Sequence, residues 1–387
     1  MKIRTITTGI SLQSPNDEAK IRRTAEFNQK AKAVFEKVGY EVQTTRISTN
    51  SWEEYLNGFS DTEIVSAIQK IEKLCQNLEI PEILLTGINI GSAKTPSKIA
   101  LIPIILKSAP TIFCSAKIGD KENGINFKNV KIVAQVIKNI AKVTEEGYGN
   151  FRFCASVNCK PGIPFFPTAF HEGESAFGIG LECGDLAMKA FSKSNNLIEA
   201  EHNLKLIFEE ETKKVADLAQ QISINFGIKY NGIDVTLNPG LKEHESIAFA
   251  YEQLGFGKFG NHGTLTISAL ITRVLKGLSV KICGYSGLML PICEDKGLAA
   301  RANEETYSIT NLLLYSAVCG CGLDTVPIPG DTPVEKIEAI LLDIATLAIE
   351  LNKPLSARLF LIPNKKAGEM TSFKSPYLVD CKILKVE

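Results

Sequence analysis

Two cysteines one residue apart, each followed by glycine, sit in the stretch "SAVCGCGLDTVPIPGDTP", residues 316–333. Thiols so spaced can serve as a disulfide, a metal clip, a nucleophile with its neighbour, or two small packing residues. Residues 306–318 read as a helix ending near Cys319, with Gly320 or Gly322 as its left-handed cap. The negative end of that helix disfavours a thiolate at Cys319, and the short spacing strains a Cys319–Cys321 disulfide. Packing is therefore the reading for the doublet, and Asp324, just beyond it, is the more chemical group of the turn.

Three other places carry candidate chemistry. "TIFCSAKIGD" sets Cys114 at the end of a strand, with Lys117 near enough to lower its pKa. "TAFHEGESAF" places His171, Glu172 and Glu174 in a glycine-containing loop, where a histidine and a carboxylate three apart can act as acid and base or ligate a metal. "GNHGTLTISALI" sets His262 and Gly263 at the start of a helix that Asn261 or Thr264 can cap, and free amides at such a start attract anions. Each has a plainer alternative: a core cysteine, a solvated loop, a capped helix. Cys154 and Cys159 would make half a zinc site, but no second pair accompanies them. A literal GxGxxG at Gly255, Gly257 and Gly260 follows a helix where a dinucleotide fingerprint needs a strand, so it is set aside.

These residues must be positioned by alternating elements. Strands are expected over "KIRTITTGISL", "YEVQTTRIS", "EILLTGI", "TIFCSAKIG", "FRFCASV", "AFGIGLEC", "GIDVTLNP", "LDTVPI", "LSARLFLIP" and "YLVDCKILKV". Helices are expected from Pro15 to Lys37, after a Ser60/Glu63 capping box, over "KIALIPIILKSA" with a break at Pro103, and from Phe127 to Glu146. Others are expected from Leu197 to Phe226, around 245–254, 264–276 and 296–318, and after a Thr332/Glu335 capping box. About ten strands alternating with helices indicate a mostly parallel sheet or barrel, expected as one domain over 1–387. Active sites of such folds gather at the carboxyl ends of strands.

Composition narrows the class of function. Lysines plus arginines and acidic residues number 43 each, so no charge excess announces nucleic acid or an anionic membrane. The N-terminal residues lack the apolar run of a signal peptide, and no apolar stretch is long enough to span a bilayer. A cytoplasmic protein is expected, and its ten cysteines then read as free thiols.

Taken together, "IRTITTGISL", "CSAKIG" with "GINF", "AFHEGE", "GNHGT", "SGLMLPICEDKG" and "GLDTVPIPGDTP" resemble, in order and over most of the chain, domain-of-unknown-function family 711, also called uncharacterised protein family 0210. The resemblance implies an α/β barrel of ten strands in two parallel five-stranded halves, like the pyruvate formate-lyase-like glycyl radical enzymes. It implies no established activity and names no cofactor. Cys114, Ser115, Asn126, His171, Glu174, Asp234, His262, Gly263, Thr264, Ser286, Gly287, Glu294, Cys319 and Asp324 match its motifs, whereas Cys321 falls where they have valine. No glycyl radical signature lies near the C-terminus, and the family's glycine-rich tail is replaced by "SFKSPYLVDCKILKVE".

The resulting expectation is an enzyme acting on a small carboxylate or acyl compound. Cys114 is its nucleophile, His171 its acid/base, Glu174 the orienting group and Asp324 a further catalytic carboxylate. Ser115, Asn126, His262, Gly263, Thr264, Ser286 and Gly287 bind the substrate. Two alternatives stand beside it: a non-catalytic sensor of small anions, and a metal enzyme using His171, Glu174 and His262. The partner is a small anion; nucleic acid and membrane are not expected, and a homo-oligomer stays open.

Overall fold

The computed structural model describes residues 1–78 and 87–387. From the N-terminus run β1 (Lys2–Ile10), α1 (Glu18–Lys37), β2 (Thr45–Thr49), α2 (Trp52–Tyr55), α3 (Asp61–Asn77), β3 (Ile88–Ala93), α4 (Pro96–Ser108) and β4 (Phe113–Asp120). Next come β5 (Gly124–Ile125), α5 (Phe127–Val143), β6 (Phe153–Val157), β7 (Ala176–Glu182), α6 (Gly184–Phe191), α7 (Leu197–Phe226) and β8 (Lys229–Asp234). The chain closes with α8 (Ile247–Glu252), α9 (Thr264–Lys276), α10 (Lys296–Asn303), α11 (Ile309–Ser316), β9 (Gly322–Pro329), α12 (Val334–Glu350) and β10 (Leu355–Ile362).

The ten strands form one sheet in the order β8-β7-β1-β2-β3-β4-β6-β10-β9, with β5 paired to β4. β1, β2, β3, β4 and β6 are mutually parallel. The parallel pairs β7–β8 and β9–β10 flank them, running the opposite way. The ladders do not close the sheet. Between its edge strands lies segment 282–291, which bridges Ile233 and Leu237 on the β8 side and Asp324 on β9.

Alternation along the strands separates two faces. Thr8 donates from Oγ1 to Asn28 of α1 at 2.6 Å, whereas Thr7 donates to the Pro164 carbonyl at 2.7 Å. Helices thus cover one face, and loop 158–174 lies on the other. Glycines make room for that loop: a Cβ on Gly9 would sit 2.1 Å from His171 Nδ1, and one on Gly180 2.9 Å from the Phe165 ring. The apolar side chains on the loop face, Ile163, Phe165, Tyr285, Met289 and Cys321, form a cluster separate from the main core.

Asp234 fastens segment 282–291. It is fully buried and accepts from the amides of Tyr285, Ser286 and Thr236 and from the Thr236 hydroxyl. The turn it holds includes Gly284 and Ser286, both at positive φ. A Cβ on Gly284 would lie 2.1 Å from Asp234 Oδ2.

The capping box at Ser60 and Glu63 is present, and α7 and α9 span the expected residues. Other expectations need correction. α4 runs unbroken through Pro103. An internal proline costs about 3 kcal/mol, but α4 buries Ile99, Leu101, Ile102, Ile105 and Leu106, and each such side chain contributes roughly 1.5–3 kcal/mol. α5 stops at Val143 before a 3-10 turn with Glu146 and Gly147 at positive φ. Thr332 caps nothing; its hydroxyl donates to the Pro329 carbonyl, and α12 begins after Pro333. The C-terminal "YLVDCKILKV" is not a strand. It packs irregularly, bonded through Val379 to Cys293 and through Leu384 to Pro327. Most of "EILLTGI" lies outside the described residues.

Replacing Asp234 by alanine strands four buried donors, so a loss of about 3 kcal/mol or more is expected in urea unfolding. A variant as stable as the parent would show that segment 282–291 is held by other means.

Candidate functional site

The expected constellation does not assemble. Cys114 is fully buried on β4. Its neighbours Phe113 and Lys117 line cavities on the loop face, whereas Cys114 lines neither cavity. Burial pushes its thiol up to about 12 despite Arg152 nearby. Lys117, which was to lower that pKa, forms an ion pair with Asp120 instead. A buried, protonated thiol facing the helices packs; it does not attack.

His171 is buried against Gly9, and its Nε2 bonds the backbone oxygen of Glu174 at 2.8 Å, not the carboxylate. His262 is exposed at the start of α9, Gly263 is that helix's left-handed cap, and Thr264 accepts from the Gly260 amide. Asn126 caps α5 by accepting from the Asn129 amide. Gly287 lets two backbones touch: its Cβ would lie 2.6 Å from Gly320 Cα. Ser286 donates to the Cys283 carbonyl beside Asp234. Ser115 is buried with an unpartnered hydroxyl. Of the expected catalytic residues only Asp324 lines a cavity, and among the binding residues only Ser286 does. Among the described residues no trio of ligating side chains is grouped to hold a metal, and His171, Glu174 and His262 are not brought together.

The Cys319–Cys321 doublet is buried, as its packing reading requires. Position at a helix end does not by itself set the Cys319 thiol: a hydrogen bond with Cys321 first, then the Lys353 ammonium and the Gly322 amide, pull it down against burial, while the same pairing pushes the Cys321 thiol up. Lys353 comes from the turn before β10 and binds the last carbonyls of the α11 region, so its charge offsets the helix end.

Two cavities lie on the loop face. One, of about 1210 Å³, opens at the carboxyl ends of β3, β4 and β6 and includes Ser92, Lys117, Ser156, Cys159 and Tyr285. The other, of about 510 Å³, lies at the amino ends of β1, β2 and β4, beyond the carboxyl ends of β7 and β8. Because the flanking pairs run opposite to the central five strands, each mouth is a carboxyl end for part of the sheet. The strand-end rule therefore selects neither.

The smaller cavity is built of charges between aromatic walls. Arg358 donates from Nε to Asp324 at 2.6 Å and from Nη2 to Glu294 at 2.5 Å. Arg4 reaches Gln43 at 3.0 Å and Glu294 at 3.4 Å, and Lys2 bridges Glu182 and Glu245. Burial opposes the Arg358 charge, but Asp324 and Glu294 outweigh it and keep the guanidinium protonated. Burial also pushes the Asp324 carboxyl up.

Arg46 is the exception. Its Cζ lies 4.8 Å from the centre of the Phe166 ring, and among the described residues no oxygen accepts from its guanidinium. Burial first, then the nearby Arg4 charge, lower its pKa to about 9, which leaves it a cation at neutral pH. Sequence reasoning passed over Arg4, Arg46 and Arg358. The available signal was a lone arginine inside a strand-like run, as in "TTRIST" and "SARLFLI".

Comparison with known proteins places the chain among relatives. The family described as "Uncharacterised ACR (DUF711)" matches residues 1–374. The chain belongs to this family. A UPF0210 protein of Methanocaldococcus jannaschii is 27% identical over 415 residues, spanning 96% of this chain and 88% of its own. A UPF0210 protein of Neisseria gonorrhoeae is 27% identical over 394 residues, covering 96% and 87%. One of Clostridium botulinum is 26% identical over 401 residues, covering 96% and 88%. Their names state no activity. Among the described residues no helix of this DUF711 chain is long and apolar enough to cross a membrane.

Two outcomes test these assignments. Only Cys159 and Cys283 are partly accessible among the ten cysteines. Maleimide labelling of the native protein, read by mass spectrometry, should modify at most those two; rapid labelling of Cys114 would restore it as a reactive thiol. Burial lowers the His171 pKa, so below about pH 6.5 the unfolded chain takes up a proton that the folded chain resists. Stability should hold above that pH and fall below it, less steeply in His171→Asn. Equal slopes would mean His171 titrates freely.

Proposed function

We propose that this DUF711 chain is a single barrel over 1–387, closed by segment 282–291, that binds a small carboxylate in the cavity containing Arg46. The carrying observation is that unpartnered guanidinium. Lys2, Arg4 and Arg358, the other strand cations lining this cavity, each have a carboxylate within 3.5 Å. A cation left without a partner beside two others of like charge costs stability, and an incoming carboxylate supplies the two oxygens its fork fits.

The walls suggest the rest of the ligand. Phe113, Phe151, Phe165, Phe166 and Met289 offer apolar and aromatic surface. A monocarboxylate with a compact apolar body suits both features, and 510 Å³ falls within the usual range for small-molecule sites. This favours small-anion binding over thiol–histidine catalysis, because neither Cys114 nor His171 lines the cavity. Asp324 and Glu294 line the same cavity, each held by Arg358.

Acetate, pyruvate, benzoate and phenylacetate, screened by thermal shift and then calorimetry, test the reading. At least one should bind, and about tenfold or more weaker in Arg46→Met, since a lost charge-assisted bond costs about 1.5–3 kcal/mol. The unliganded Arg46→Met protein should be as stable as the parent or more so. A marked loss of stability would make Arg46 structural, and carboxylate binding unchanged by the substitution would overturn the proposed anchor.

A further inference from the structure

We propose that the larger cavity is a second, separate site, and that it takes a small phosphorylated molecule bearing hydroxyl groups. The two cavities share a partition. Loop 158–174 gives Gly162, Ile163 and Phe170 to one and Phe165 and Phe166 to the other, while segment 282–291 gives Tyr285 and Met289 to opposite sides. Ile163, Phe165, Tyr285 and Met289 pack together in the middle, so a ligand in either cavity meets an apolar wall.

The chemistry on the two sides differs. No arginine lines the larger cavity, which carries six lysines against three carboxylates. Three of those lysines are committed: Lys117 to Asp120 at 2.6 Å, Lys94 to Glu54 and Glu172 at 3.7 and 3.8 Å, and Lys353 to backbone carbonyls. Lys121, Lys160 and Lys276 have no carboxylate partner among the described residues. Excess ammonium groups around a concave site attract a multiply charged anion, and lysine serves phosphate as a point charge.

The floor adds a second observation. Ser92 is only 3% exposed, lines this cavity, and its hydroxyl has no hydrogen-bond partner. Ser115, in register beside it on β4, is likewise buried and unpartnered. The next rung pairs Lys117 with Ser156, and Ser156 with Ser356 of β10. Of these four, Ser92 and Ser156 line the cavity, and the Ser156 hydroxyl already donates to the Ala116 carbonyl, which leaves Ser92 as the open one. Buried hydroxyls are normally satisfied, so an unused one under a lysine rim suits a ligand with hydroxyls of its own. A volume of about 1210 Å³ leaves room beyond a phosphate group.

The test uses the full chain, calorimetry at low salt, and two probes, inorganic pyrophosphate and ribose 5-phosphate. Both should bind, with Kd of about 1 mM or tighter and weakening as salt is raised. The triple variant Lys121→Ala, Lys160→Ala, Lys276→Ala alters only exposed side chains and should weaken both probes about tenfold or more. Ser92→Ala should weaken ribose 5-phosphate more than pyrophosphate, and Arg46→Met should change neither. Absence of binding by both probes, or an affinity unchanged in the triple variant, overturns the site. Binding lost in Arg46→Met but kept in the triple variant also overturns it, since the phosphate would then occupy the smaller cavity. Carboxylate binding is read separately, so either proposal can fail alone.

Discussion

The space on the loop face of the sheet has to be filled, and strand side chains alone do not fill it. Loop 158–174 supplies the missing atoms, and the strands accommodate it by giving up side chains at Gly9 and Gly180. Much follows from that fit. The loop buries Phe165 and Phe166, His171 seals it against β1, and Asn89 donates to the Pro167 carbonyl at 2.6 Å. Its position leaves unfilled space above and below, which becomes the two cavities.

Charge is organised around the same filling. Arg358 would be intolerable at its depth without Asp324 and Glu294, and Arg4 and Lys2 are similarly answered by Glu294, Glu182 and Glu245. Breaking such buried pairs typically costs several kcal/mol, so these residues fix one another's geometry before any ligand arrives. Against that saturated background the lone guanidinium of Arg46 stands out. Phe166, presented by the loop, gives it a flat surface to stack on. The residue that fills space thus also orients the cation.

How far could the residues themselves disclose this? The alternation of strands and helices was legible because period and caps are local signals. Ser60 with Glu63, and the span of α7 from Leu197 to Phe226, appear as expected. Both the expected and the observed strand number are about ten, yet the agreement is partly accidental: the short β5 takes the place of the C-terminal segment. Pro103 misled because a local cost was outweighed by distant packing. Cys114 misled because strand-end position says nothing about which face a side chain takes, and the alternate residues Phe113 and Lys117 reach the loop face instead. Several motif positions prove architectural: Asp234 pins a turn, Gly287 permits backbone contact, Asn126 caps a helix. The arginine cluster was hidden because its members are far apart in the chain and meet only through strand order.

That last point bears on how the molecule can be divided. Arg4 and Arg46 come from the first strands, Glu182 from the middle of the chain, and Asp324 and Arg358 from its last two strands. β1 sits between β2 and β7, and β6 between β4 and β10, so neither end of the chain has a sheet of its own. Even the last residues contribute, for Pro376 and Tyr377 line the smaller cavity. A fragment from either half would lack the partners of its buried charges along with half of each cavity wall. Neither cavity belongs to one half of the chain: the walls of each are drawn from strands and loops that only the long-range order of the sheet brings together.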